Sequence, residues 1–251
     1  MSVEKLKQLH HQENPLMIAN TWDAISAKAA EKAGLEVMGT SSHAIANILG
    51  YEDGEVIPFE EMFFIIEKIS KSTQMLVSSD IESGYSDDPK EVASNVQKLV
   101  NVGVVGINLE DGLTKGEQRQ LGEVSILAEK IKAIKSELQK EGKDVFINAR
   151  IDTYTTKHPN ALEETLNRIK IYEEAGADGF FIPLINEENE IKKVFETTKL
   201  PLNVFMKEGL KSYDEFAKLG VHRVSSGNGI HAGVTKFTEE AFKKLNKEKS
   251  L

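Results

Sequence analysis

The sequence predicts a (β/α)8 TIM barrel, and three observations carry that prediction. Short apolar runs recur eight times along the 251 residues, each nearly continuous at its start, as strands buried on both faces should be. Longer charged segments of helical character separate them. The joints KAGLEVM, NVGVVGI, EAGADGF and KLGVHRV repeat one grammar of helix end, glycine, short turn and buried strand. Eight such units in a chain of this length fit one closed barrel.

In chain order the strands are expected at residues 16–20, 37–42, 75–80, 106–111, 145–150, 179–183, 202–206 and 221–226. Among the helices, residues 89–102 follow Asp87 and Asp88, good capping residues, and stop at Gly103. Residues 123–141 stop at Gly142, 160–175 at Gly176 and 212–219 at Gly220. Residues 229–245 read as one further helix after the last strand, followed by a charged tail. An open doubly wound sheet is the alternative, but the turn after the first strand is Asn20-Thr21-Trp22-Asp23, with no G-x-G-x-x-G. No linker or low-complexity stretch divides residues 1–251, so one barrel domain is expected.

Composition narrows the function. A net charge of −9, from 40 acidic and 31 basic residues, leaves no basic face for nucleic acid. The absence of cysteine excludes disulfides, thiolate metal sites and a cysteine nucleophile. The first residues, MSVEKLKQLHHQENP, carry charge throughout and lack the apolar stretch of a secretory signal. No apolar run approaches the roughly 20 residues of a membrane span. A cytoplasmic protein with no membrane or nucleic-acid partner is expected.

The active site of such a barrel lies at the C-terminal ends of its strands. Those ends carry Thr40, Ser41 and Ser42, then Asp80 and Glu82, Glu110 and Asp111, Arg150 and Asp152, Asn203, and Ser225-Ser226-Gly227. Asp80 and Glu82 are two apart, which in extended chain sets them on one side, and Glu110 belongs to the next strand. Three converging carboxylates repel one another unless a cation or protons intervene. With oxygen ligands alone, Mg2+ or Mn2+ is favoured over zinc. The same acids would serve equally well as solvated loop residues. Arg150, at the end of a buried strand, must be paired, either with these carboxylates in a structural salt bridge or with an anionic substrate. Thr40–Ser42 could offer hydroxyls and amides to a carboxylate, or could simply be a polar strand exit.

These positions also carry a family likeness. In the segments MIANTWDAISAKAAEKAG, GTSS…LGYEDGE, SSDIESGYSDD, INLEDG, INARIDTY, PLNVF and LGVHRVSSG the chain resembles the isocitrate lyase/phosphoenolpyruvate mutase superfamily. The resemblance implies Mg2+ held by Asp80 with help from Glu82 and Glu110. It further implies a functional acid at Asp53, substrate contact by Arg150, carboxylate binding at Thr40, Ser41 and Ser42, and a substrate-pocket asparagine at Asn203. A small carboxylate substrate passing through a pyruvate enolate is implied, the metal acting as Lewis acid on the developing oxyanion. So is a homotetramer, or a dimer, whose C-terminal helix, residues 229–245, swaps between subunits.

The loop at residues 112–122 departs from the superfamily's better-defined activities. The K-[KR]-C-G-H signature of the isocitrate and methylisocitrate lyases is missing, and Leu184 stands where those lyases carry a glutamate. Gly112 replaces the lysine of the E-D-K-x-F-P-K motif of the mutases and phosphonopyruvate hydrolases, although Lys115 could supply a charge. A carbon–carbon lyase or decarboxylase acting on oxaloacetate or a related acid remains. Phosphorus–carbon chemistry, methylisocitrate-type cleavage, a phosphate-binding barrel using Ser226 and Asn228, and a metal-retaining binding protein are the alternatives. Of the histidines, His10 and His11 are expected at the surface and His43 in packing, although it could approach the pocket, and nothing in the sequence supports a pocket-rim role for His231.

Overall fold

The computed structural model describes residues 2–115 and 118–249, with the side chain of Lys115 outside that description. Its strands are β1 (Leu16–Thr21), β2 (Val37–Thr40), β3 (Leu76–Asp80), β4 (Val104–Glu110), β5 (Gly112–Lys115), β6 (Gln118–Leu121), β7 (Phe146–Arg150), β8 (Gly179–Phe181), β9 (Leu202–Phe205) and β10 (Arg223–Ser225). All but β5 and β6 pair in parallel and close into a barrel in the order β1-β10-β9-β8-β7-β4-β3-β2. These are the eight expected strands. The TIM barrel is therefore borne out, with the C-terminal helix present beyond it.

Helices alternate with the strands: α1 (Val3–Leu9), α2 (Ala24–Lys32), α3 (Ser42–Ile48), α4 (Phe59–Lys71), α5 (Pro89–Asn101), α6 (Val124–Lys140), α7 (Ala161–Ala175), α8 (Glu188–Thr197), α9 (Tyr213–Lys218) and α10 (Gly229–Glu248). Local chemistry sets their ends. Asp88 caps α5 by accepting from the Lys90 amide, with Pro89 in the first turn, where a missing N–H is harmless. Ser212 and Glu215 form a capping box at α9, and Gly176 ends α7 in left-handed backbone. No helix among the described residues is long and apolar enough to cross a membrane.

Helix α1 closes the N-terminal end of the barrel. Leu6 packs there with Leu16, Ile18, Val37, Leu76, Val105 and Phe146. His10 belongs to this plug, which corrects its expected surface position. It is 2% exposed, its ring is stacked on Phe146 at 4.5 Å, and its Nδ1 lies 2.7 Å from the Leu6 carbonyl. Burial, with the nearby Arg223 charge, lowers its pKa to about 3, so the ring is neutral.

Strand alternation then builds two polar levels inside the barrel. Ser78, Asn108, Asn148, Asn203 and Arg223 lie two residues before Asp80, Glu110, Arg150, Phe205 and Ser225. In the lower level Asn148 Nδ2 donates to Asn108 Oδ1 (2.8 Å) and to Asn203 Oδ1 (3.1 Å). Arg223, 1% exposed, reaches Ser78 Oγ and Asn108 Oδ1 only at 3.4 and 3.5 Å, and its Nε and Nη1 are buried without acceptors. Burial lowers its pKa to about 10, with the Asp80 charge opposing that shift.

Candidate active site

The upper level forms the barrel mouth. Asp80 ends β3 and is held at both its side chain and its backbone. Ser42 Oγ, at the start of α3, donates to Asp80 Oδ2 at 3.1 Å, and Thr40 Oγ1 accepts the Asp80 amide at 2.9 Å. Burial pushes the Asp80 carboxyl up against the opposing pull of Arg150.

The strand stops at Asp80, so Glu82 is not brought alongside by extended chain as expected. Instead its backbone is left-handed, with φ 49°, as is that of Tyr85, with φ 62°. Left-handed backbone at such residues is disfavoured by about 1–3 kcal/mol each. Gly84 makes the turn possible, because a Cβ there would lie 2.6 Å from Val92 Cγ1. The turn delivers a buried Glu82 carboxyl whose Oε1 accepts from the Tyr85 hydroxyl at 3.0 Å. Burial first, then the charges of Asp53, Asp80 and Glu55, push its pKa up to about 8. Glu82 lines a cleft of about 320 Å3 together with Gly54, Glu55, Ser83, Glu110 and Thr114.

Glu110 faces two arginines. Arg150 Nη1 lies 2.8 Å from Glu110 Oε2, and Arg119 Nη2 contacts Glu110 Oε1. Both guanidinium groups also hold Asp152. Arg150 Nε and Nη2 donate to its Oδ1 at 3.1 and 2.9 Å, and Arg119 Nη2 donates to its Oδ2 at 2.8 Å. Although burial works against it, the charges of Asp152, Glu110 and Asp80 keep Arg150 firmly protonated. Asp152 is itself oriented from behind: its amide donates to Asp111 Oδ1 at 2.9 Å. Asp111 Oδ2 accepts from Arg168 Nη1 (3.0 Å) and from the Tyr172 hydroxyl (2.9 Å), both on α7.

The remaining expected site residues lie as follows. Ser41 Oγ accepts from the Ala44 amide and caps α3, while Thr40 Oγ1 is shared with Ser79. These two hydroxyls are thus occupied within the protein. Of the first-turn amides of α3, that of Ala44 is taken by Ser41, while those of Ser42 and His43 have no acceptor within the helix. Asp53 lies at the rim, its Oδ2 3.5 Å from His43 Nδ1. His43 is thus half exposed beside an acid rather than in packing. Asn203 is 1% exposed, within the lower level. His231 is buried with its ring edge-on to Trp22 at 5.0 Å. Ser226 Oγ accepts from the Asn20 amide at 3.1 Å, tying the ends of β10 and β1 together.

Among the described residues no three His, Asp or Glu side chains converge closely enough to form a ready metal cage. Glu110 is drawn instead to the two arginines. The donor set nevertheless fits a hard divalent cation. It is all oxygen, and Asp80 and Glu82 lie among the further acids Asp53 and Glu55, whose repulsion a cation would relieve.

Sequence reasoning missed Arg119, Arg168 and Arg223. The available signals were the alternation QRQL at residues 118–121, an arginine within helix 160–175, and polar residues two positions before the strand ends.

Comparison with known proteins bears on this arrangement. The family model described as phosphoenolpyruvate phosphomutase matches residues 6–246. An uncharacterised protein of Mycobacterium tuberculosis is 35% identical over 220 residues, which is 88% of this chain and 80% of that protein. An oxaloacetate decarboxylase of Paraburkholderia xenovorans is 24% identical over 232 residues, 90% of this chain and 75% of that one. A solved structure from Burkholderia cenocepacia, carrying a provisional phosphonomutase assignment, superposes with a TM-score of 0.90 at 32% identity, covering 96% of this chain and 99% of that one.

Proposed function

Because the chain belongs to the phosphoenolpyruvate phosphomutase family, within a superfamily of lyases and mutases, we propose that it is a Mg2+-dependent carbon–carbon lyase acting on a short 2-oxo or 2-hydroxy acid such as oxaloacetate. The observation that carries this reading is that the Asp80 and Glu110 carboxyls share one barrel end within the field of Arg150, with Glu82 beside Asp80. Asp80 and Glu82 would hold the cation, and Glu110 would join them only by giving up a contact to Arg119 or Arg150. When bound, the cation supplies Lewis-acid stabilisation of the charge that develops on the 2-oxo oxygen.

The chain's own residues do the rest. Arg150 is pinned by Asp152 and Glu110, so its charge is already aimed and needs no reorganisation as the enolate forms. The Ser42 and His43 amides at the start of α3 would take the substrate carboxylate. In decarboxylation of oxaloacetate the C3–C4 bond breaks and carbon dioxide leaves. Its electron pair passes into the C2–C3 enolate, which then takes a proton at C3 from water.

Gly112 removes the lysine of the phosphoryl-transferring relatives from this position, and a relative named oxaloacetate decarboxylase supports the choice of substrate. A panel of oxaloacetate, substituted malates, methylisocitrate and phosphonopyruvate, read by pyruvate release with Mg2+ and again with EDTA, tests the reading. Oxaloacetate turnover that EDTA abolishes is expected. Turnover of methylisocitrate or phosphonopyruvate instead, or turnover indifferent to EDTA, would refute it.

The exposed face of α10 carries Ile230, Val234, Phe237, Phe242 and Leu245, an apolar stripe suited to a second copy of the chain. We propose a homotetramer, or a dimer, with this helix exchanged between subunits. Sedimentation equilibrium of Phe237→Asp should show smaller species than the parent protein, and an unchanged mass would exclude that arrangement.

A further inference from the structure

The turn that presents Glu82 is held mostly by the barrel itself. The Glu82 carbonyl accepts from the Glu110 amide at 2.8 Å, and the Gly84 amide donates to the Ile81 carbonyl at 2.9 Å. Two buried side chains on the outer helices take the next carbonyls. Lys130 Nζ, on α6, donates to that of Ser83 at 2.7 Å, and Asn95 Nδ2, on α5, donates to that of Gly84 at 3.2 Å. The Tyr85 amide finds its acceptor on a different loop, donating to Glu55 Oε1 at 2.9 Å. The Ser83 hydroxyl lies 2.9 and 3.0 Å from the two oxygens of that same carboxylate.

Glu55 belongs to the segment between α3 and α4, which also carries Asp53. Tyr51 at one end is tied by its amide to the Ala46 carbonyl, and Ile57 at the other is fully buried. Among the described residues, no backbone hydrogen bond joins residues 52–56 to another part of the chain, so side chains must hold them. Asp53 contributes only its 3.5 Å approach to His43, a pair half open to solvent and correspondingly weak. Glu55 has left-handed backbone, with φ 61°, which such a residue keeps only when its surroundings hold it there. Gly54 beside it, at φ 100°, has no room for a Cβ, which would fall 2.6 Å from Thr114 Oγ1 in the hairpin formed by β5 and β6. With Asp87, Glu55 also opposes the cost of burying the Lys130 charge. Its carboxylate therefore faces the turn and the lysine that anchors the turn.

Asp53 is two residues from this tether, and its charge is felt at both Asp80 and Glu82. We propose that Glu55 is a positioning residue: by fastening its segment to the turn of residues 82–85, it fixes Asp53 at the cation site, so that acids on two separate loops act together. This rests on the reading of Asp80 and Glu82 as cation ligands. Glu55 itself acts through hydrogen bonds and not as a ligand.

Mn2+ binding, followed by the electron spin resonance signal of the free ion, tests this without turnover. Glu55→Ala should weaken Mn2+ roughly 10- to 100-fold, as loss of a partner behind a metal site does. Glu55→Gln keeps an acceptor for the Tyr85 amide and the Ser83 hydroxyl. It should stay within about fivefold of the parent, a neutral acceptor being weaker than a charged one. In an Asp53→Asn background the effect of Glu55→Ala should largely vanish, because residues that act through one another are not additive. In the metal-free protein, hydrogen exchange at the Tyr85 amide and across residues 49–57 should accelerate in Glu55→Ala and not in Glu55→Gln. Equal losses in the two variants would make Glu55 a ligand by its charge, and a full loss retained beside Asp53→Asn would make the two acids independent. Either result overturns the proposal, as does unchanged exchange. A parent protein that binds no Mn2+ refutes the cation site and this role with it. One that binds Mn2+ with the expected pattern yet turns over no 2-oxo acid refutes the proposed reaction alone.

Discussion

Replacing Asp80 with alanine is expected to abolish cation-dependent turnover, a loss on the order of a thousandfold, while leaving the barrel folded. Among the described residues Asp80 is held in place without a salt bridge, with Ser42 Oγ on its carboxylate and Thr40 Oγ1 on its amide. That arrangement does little for stability, because burial and the Asp53 charge both disfavour its ionised form. Removing it relieves repulsion on Glu82, so the melting temperature should stay the same or rise. Cation affinity, followed by Mn2+ titration, should fall together with activity. Asp80→Asn keeps the shape and the Ser42 contact but loses the charge, and should be as inactive as alanine. Activity in either variant close to the parent level would place the chemistry elsewhere in the barrel.

What the sequence made legible, and what it hid, follows from the range of the interactions involved. The eight barrel strands could be located because each is an apolar run, four of them introduced by a helix end and glycine, and both signals are local. Arg150, Asp80 and Glu110 could be named because alternation and strand ends place them at the mouth. The hairpin was hidden because GLTKGEQRQL has almost no apolar alternation. Its order comes from docking on Gly54 and Gly112 and from the pairing of Arg119 with Glu110 and Asp152. Glu82 was assigned to the right end of the barrel for an incomplete reason. The strand stops two residues earlier, and a left-handed turn around Gly84 does the placing. His10 looked like a surface residue because its aromatic partner, Phe146, is remote in sequence. Arg223 escaped notice because its only mark is that it is a polar residue two positions before a strand end, which becomes a signal only when the five such strands are compared.

The largest expected loss of stability lies behind the site, at Arg168. Its side chain is 6% exposed and that of Asp111 is 1% exposed. Arg168→Met removes the ion pair with Asp111, the 3.1 Å hydrogen bond to the Tyr172 hydroxyl and the link to Glu164, leaving a buried carboxyl with one fewer donor. Breaking such a pair from one side typically costs about 3–5 kcal/mol, and urea denaturation should show a correspondingly lower midpoint.

The pH dependence supplies a check that simple loss of packing would not produce. Burial, with the Asp152 charge, already raises the Asp111 pKa to about 6, and without Arg168 it must rise further. A carboxyl whose folded pKa exceeds its unfolded value keeps its proton in the folded state after the unfolded chain has lost it, so stability falls as pH increases between the two. In the parent protein that fall ends near pH 6, and in the variant it continues above. The stability deficit of Arg168→Met should therefore widen from pH 6 to pH 8, and adding Asp111→Asn should remove the widening. Because Asp111 Oδ1 also fixes the Asp152 amide, and Asp152 anchors both Arg150 and Arg119, the same substitution should lower kcat under conditions where the variant remains folded.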